Sequence, residues 1–207
     1  MISGLKILRP ERLARLARRA RAAVLALAAG PLLALPSWAF GIDDLMGLLG
    51  RSLHGEARFT EQRFVKGLDG PLDSSGILHF TPPDKLERRV LSPRPESMRV
   101  DGNVMVLSRA GRTRTVTLDS MPEALGMVEA LRGTLSGNAP QLQRYFRTQV
   151  SGDAQAWTLQ LEPLDRALAE QLTRLRISGS RGVVRGVEMD FVGGDRSVMK
   201  IEPGKAP

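Results

Sequence analysis

Between Ala57 and Asp119 apolar and polar residues alternate in short segments, with Gly, Pro and Asp separating one segment from the next. Alternation of period two sends every second side chain to one face, so each segment suits a strand with one buried face and one wet face. Strands are expected at 57–66, 73–81, 84–91, 97–100, 103–109 and 112–118, with hairpin turns at Asp101-Gly102 and Ala110-Gly111. The same texture returns further along, at 146–151, 155–162, 171–179, 184–192 and 196–202, with Asp165–Gln171 able to form one helical turn instead. Two regions have helical spacing. Ile42, Leu45, Met46, Leu49 and Leu53 follow Asp43 and Asp44, which favour a helix start, and Gly55 is expected to close that helix. Met121, Leu125, Val128 and Leu131 form a stripe around Pro122, a first-turn residue, with Gly133 and Gly137 as interruptions and a second short helix at Ala139–Tyr145. Sequential strands joined by tight turns give an antiparallel meander. A sheet of this length curls, and helices on its concave face would cover the apolar side. The fold class is therefore α+β: one curved antiparallel sheet of about 11 strands covered by helices, without repeats or a second domain.

The first 39 residues are expected to form a separate segment, a secretory signal. Lys6, Arg9, Arg12, Arg15, Arg18, Arg19 and Arg21 face only Glu11, an apolar run follows from Ala22 to Leu35, and Ser37-Trp38-Ala39 offers small residues for cleavage after Ala39. An uncleaved anchor is the rival, since residues 22 to 42 carry no charge, but Gly30, Pro31, Pro36 and Gly41 interrupt that stretch. Arg18-Arg19 lacks the apolar residues that follow a twin-arginine pair. Removing seven of the 30 Lys and Arg and one of the 22 Asp and Glu leaves 23 basic and 21 acidic residues, a net of +2. The high pI thus belongs mostly to the leader, and the rest carries no basic block and few aromatic residues, which argues against nucleic acid as a partner. With no cysteine in the chain, disulfides contribute nothing and the new N-terminus cannot be lipidated.

Residues suited to catalysis are sparse. His54 and His79 have no companions at ligand spacing, so no metal and no cofactor are expected, and Ser178-Gly179-Ser180-Arg181-Gly182 reads as a hairpin turn rather than a nucleophile elbow. Glu61 and Arg63 alternate with Phe59 onto one strand face, where charge beside a core aromatic has to be paired or at a rim. Met46, Met98, Met105, Met121, Met127, Met189 and Met199 supply adaptable apolar surface, which suits a pocket for acyl chains.

The order Phe59-Thr60-Glu61-Gln62-Arg63, then Gly76-Ile77-Leu78-His79-Phe80-Thr81-Pro82-Pro83-Asp84-Lys85-Leu86, then Pro93 and Val100-Asp101-Gly102, resembles the LolA family of periplasmic outer-membrane lipoprotein carriers. The motifs are dense over 59–102, and the resemblance extends over 40–207. Phe59-x-Glu61-x-Arg63, with Gly194-Asp195-Arg196-Ser197, is similar to a divergent branch of it. The resemblance implies an unclosed barrel with a helical lid and a soluble monomeric carrier in the periplasm of a Gram-negative bacterium. Its cargo would be a lipoprotein or another acylated lipid, passed from an inner-membrane donor to an outer-membrane acceptor. A lipid-sensing regulatory module acting through a partner protein is the alternative use of the fold, and a lipid hydrolase or transferase is a more distant one. The chain departs from the main carriers at Pro82, where they place an arginine that helps hold the lid closed. Closure of that kind cannot operate through a proline. Alternation and helical face select Phe64, Leu78, Phe80, Leu86, Val90, Met98, Val100, Met105, Leu125 and Val128 as cavity-lining candidates, with Glu61 and Arg63 as a polar rim.

Overall fold

The computed structural model describes residues 40–51 and 55–204; the expected leader, Leu53 and His54 lie outside the described residues. The sheet consists of β1 (Gly55–Phe64), β2 (Leu72–Thr81), β3 (Lys85–Ser92), β4 (Glu96–Asp101), β5 (Val104–Arg109), β6 (Arg112–Thr117), β7 (Phe146–Gly152), β8 (Trp157–Pro163), β9 (Leu172–Ser180), β10 (Val183–Phe191) and β11 (Arg196–Pro203). The helices are α1 (Ile42–Leu49), α2 (Pro122–Leu135), α3 (Ala139–Tyr145) and α4 (Arg166–Ala169), with a 3-10 turn at Leu118–Ser120. All neighbours pair antiparallel in the order β6-β5-β4-β3-β2-β1-β11-β10-β9-β8-β7. β6 and β7 are left as unpaired edges, so the sheet is an unclosed barrel, and the connection between them carries the 3-10 turn, α2 and α3.

The concave face holds the core because alternation puts Phe59 on β1, Phe80 on β2, Val90 on β3 and Val100 on β4 to the same side. One apolar cluster joins β7–β11 and β1 to α1, α3 and α4 through Leu45, Leu142, Leu159, Leu168 and Ile177. A second joins β2–β5 to the 3-10 turn and α2 through Phe80, Leu86, Val100, Met105, Leu118 and Val128.

Three local expectations are corrected. Gly55 does not close α1, whose C-cap is Gly50; Gly55 instead opens β1. Gly133 does not interrupt α2, because its missing side chain makes room for α3: a Cβ there would lie 2.7 Å from Leu142 Cγ. The turn expected at Asp101-Gly102 is one residue later, since Asp101 still pairs with Val104 across β4 and β5. The turn at Ala110-Gly111 is present, with both residues at positive φ, and 166–169 forms one helical turn after Asp165, whose side chain accepts from the Leu168 N–H.

On the convex face Asp190 Oδ2 accepts from Arg174 Nε at 3.0 Å, Arg174 Nη2 at 2.6 Å and Arg176 Nη2 at 3.3 Å. The hydrogen bond from Arg174, followed by that from Arg176, holds the Asp190 carboxyl below the usual carboxylate range despite its partial burial. A carboxyl depressed in the folded state stabilises at pH above its unfolded value, and that contribution disappears as pH falls through the folded value. Arg174→Gln should raise the Asp190 titration midpoint towards the ordinary range and weaken the acid dependence of stability, read by carboxyl NMR and by unfolding against pH. An unchanged Asp190 midpoint would refute the pairing.

Candidate functional site

Between the concave face and α2 lies a cavity of about 1060 Å³, just above the ~300–1000 Å³ common for small-molecule sites. Leu78, Phe80, Leu86, Val90 and Met98 form its wall on β2–β4. Val187, Met189 and Phe191 on β10, with Met199 and Ile201 on β11, form the opposite wall. Met127, Leu131, Thr134 and Leu135 of α2 form the roof. Four of the singled-out methionines, Met98, Met127, Met189 and Met199, therefore face this space. Met46 and Met105 are buried in the two apolar clusters, and Met121 packs against the second.

A chain of charges crosses one end of the apolar volume. Glu61 is nearly buried, with its side chain 11% exposed. Its Oε1 accepts from Ser197 Oγ at 2.6 Å, and its Oε2 accepts from Ser74 Oγ at 3.3 Å and Arg88 Nη2 at 2.5 Å. These donors stand on β11, β2 and β3, so one carboxylate ties three other strands to β1. Arg88 lies over the Phe59 ring at 4.9 Å and reaches Glu96 at 3.8 Å, and Glu96 pairs with Arg109 at 3.5 Å. Arg63 lies 5.6 Å over Phe191 and 3.7 Å from Asp195. This arrangement meets the cost of charge beside apolar surface by pairing each group. It can receive the polar end of an amphiphile while the apolar walls take its chain. At this end the cavity meets solvent: Leu72 belongs to its wall and is 53% exposed.

The other end is held by an arginine that the sequence reading did not single out. Arg132 of α2 is buried and donates from Nε and Nη2 to the Asp84 carbonyl at 2.9 and 2.6 Å. Nη2 also donates to the Gly102 carbonyl at 2.6 Å, and Nη1 to Glu129 Oε1 at 3.0 Å. Glu129 accepts a second hydrogen bond from Gln141 of α3. The helix is thus fastened to the β2–β3 and β4–β5 turns by its own guanidinium, beside Pro82. The available signal was a charged pair at i, i+3, Glu129 and Arg132, on the otherwise apolar stripe of Leu125, Val128 and Leu131.

Of the lining candidates, Leu78, Phe80, Leu86, Val90 and Met98 stand in the wall, as do Glu61 and Arg63 at the charged end. Val100, Met105 and Val128 are buried in the second cluster and Leu125 packs against it, and none of the four lines the cavity. Phe64 is exposed and outside the wall. It follows Arg63 by one residue, so alternation turns it to the convex side when Phe59, Glu61 and Arg63 face inward. His79 bonds to Thr81 Oγ1 at 3.1 Å.

Among solved structures the chain is similar to a LolA superfamily protein from Nitrosomonas europaea, with 8% identity over 80% of this chain and 93% of that one, at a TM-score of 0.41. A putative outer membrane lipoprotein-sorting protein domain from Vibrio parahaemolyticus shares 10% identity over 81% and 93%, at a TM-score of 0.42. The Mycobacterium tuberculosis lipoprotein LppX shares 10% identity over 80% and 94%, at a TM-score of 0.36. No curated protein sequence gives a significant match. Residues 34–201 match the family described as outer membrane lipoprotein carrier protein LolA-like, and the chain belongs to that family.

Proposed function

We propose that this protein is a periplasmic carrier that takes acyl chains of a lipoprotein or another lipid into the cavity and ferries them towards the outer membrane. The observation that carries the reading is the apolar cavity of about 1060 Å³ with its charged chain at one end. On this reading residues 1–39 are the export signal, cut after Ala39, and residues 40–207 act as a monomeric lipid-binding domain in a Gram-negative envelope. An inner-membrane protein donates the cargo and an outer-membrane protein accepts it. Carriage is non-covalent and needs no cofactor and no catalytic group. Acyl chains leave water or bilayer for the walls of β2–β4 and β10–β11, and they leave again when an acceptor offers a better apolar site.

Two measurements test this. Each methylene taken from water contributes about 0.8 kcal/mol, so affinity for fatty-acid probes should rise about fourfold per methylene until the walls are filled. Met98→Asp puts a charge on the wall at the centre of β4 and should abolish uptake of a fluorescent acyl probe. Unchanged uptake by the folded variant would rule out this cavity. Native mass spectrometry of protein recovered from the periplasm should show bound lipid; bare protein that also takes up no probe would overturn the carrier reading.

A further inference from the structure

The meander brings the ends of β1, β3, β5, β8 and β10 to one rim, together with the starts of β2, β4, β6, β9 and β11. Among the described residues seven large apolar side chains are exposed, and six of them (Phe64, Leu68, Leu72, Leu91, Leu164 and Val192) lie at this rim; only Val104 lies at the other. Single exposed apolar residues are ordinary on a protein surface, but their concentration at one rim marks a contact surface. A β-bulge contributes to it: Gly76 pairs with Val90 and Ser75 with Ser92, so Leu91 is the extra residue and stands out of the ladder, more than half exposed.

The same rim is basic on one side. Arg94, Arg109, Arg112 and Arg114, from the β3–β4 turn, β5 and β6, face Glu96 as the one acidic residue of that arc. Among the described residues Arg94, Arg112 and Arg114 form no salt bridge, and Glu96 holds Arg109 and Arg88. The β1–β2 loop is different, with Lys66 against Asp69 and Asp73, so attraction for anions is concentrated on the β3–β6 arc. Leu91 stands on this arc and the other five apolar tips lie round the same rim. Apolar tips and unpaired arginines on one rim are the chemistry of attachment to an anionic lipid surface, the tips entering the headgroup boundary and the guanidinium groups meeting phosphates.

We infer that this rim docks on the surface of a bilayer containing anionic lipid, with the cavity mouth at Leu72 facing the membrane. The inference rests on the carrier reading for its purpose, since a seated rim lets an acyl chain pass between bilayer and cavity without crossing water.

The absence of cysteine from the chain allows one reporter per variant. Leu68→Cys, Leu91→Cys and Val104→Cys, each in the full chain and each labelled with a polarity-sensitive fluorophore, are mixed with phosphatidylcholine vesicles with or without phosphatidylglycerol. Labels at 68 and 91 should shift to the blue with the anionic vesicles, less at high salt, while the label at 104 stays unchanged. Arg112→Gln with Arg114→Gln should weaken the response about thirtyfold, at roughly 1 kcal/mol for each cation near the surface. Silence at 68 and 91, an equal shift at 104, or a response that requires membrane proteins in place of pure lipid would each overturn the inference. Probe uptake without vesicles separates the two ideas. Uptake with silent tips sinks the docking alone, and responding tips without uptake sink the carrier alone.

Discussion

Replacing Arg132 with methionine should cost about 3–5 kcal/mol of folding stability, because removing one member of a buried pair strands the other. Glu129 would keep only Gln141 as a donor at a position 8% exposed, and the Asp84 and Gly102 carbonyls would each lose the guanidinium. Denaturant unfolding with a linear extrapolation measures the loss. The double variant Glu129→Met with Arg132→Met removes both charges and should recover the share due to the stranded carboxylate. What remains lost then reports the two backbone carbonyls. A single variant within about 0.5 kcal/mol of the parent would show that the fastening of α2 to the two turns carries no stability.

The second large effect is expected at Gly76. A Cβ there would lie 1.9 Å from the Arg89 carbonyl oxygen and 2.9 Å from Phe59 Cε1. The oxygen is backbone and lies next to the bulge in β3, so no side chain can rotate away to relieve the clash. Gly76→Ala should therefore destabilise by ~3 kcal/mol, the upper end of ordinary overpacking. Phe59 would be displaced from its place under Arg88, and with it the position of the Glu61–Arg88 pair. Gly47 is the control. It is exposed within α1 and a Cβ there meets nothing within 4 Å, so Gly47→Ala should stabilise by about 0.5–1 kcal/mol. The same sign for both substitutions in thermal unfolding would contradict this account.

The strands could be placed within a few residues because each hairpin carries its own turn signal and each strand its own alternation. Leu78, Phe80 and Leu86 could be assigned to the wall because one inward residue fixes the parity of its whole strand. Phe64 shows the same rule misapplied: it cannot share a face with Arg63. Val100, Met105 and Val128 face inward too, but whether an inward residue meets a void or a neighbour depends on how α2 seats, and no local pattern records that. Gly133 looked like a break because its effect on helix propensity is local, whereas its compensation, Leu142 in the notch, comes from another helix. Arg132 was overlooked for a similar reason: its acceptors are carbonyls, and backbone oxygens leave no mark in a sequence.

The chain joins the two open edges of the sheet only through the segment that carries α2 and α3. The roof of the cavity is therefore also a strap spanning the gap a closing strand pair would have filled. A closed barrel has a girth fixed by its hydrogen bonds, but here the circumference is completed by helix packing. Any widening of the sheet has to draw on the strap, and any lift of the strap frees the edges to spread. Cavity width and roof height are thus one mechanical coordinate.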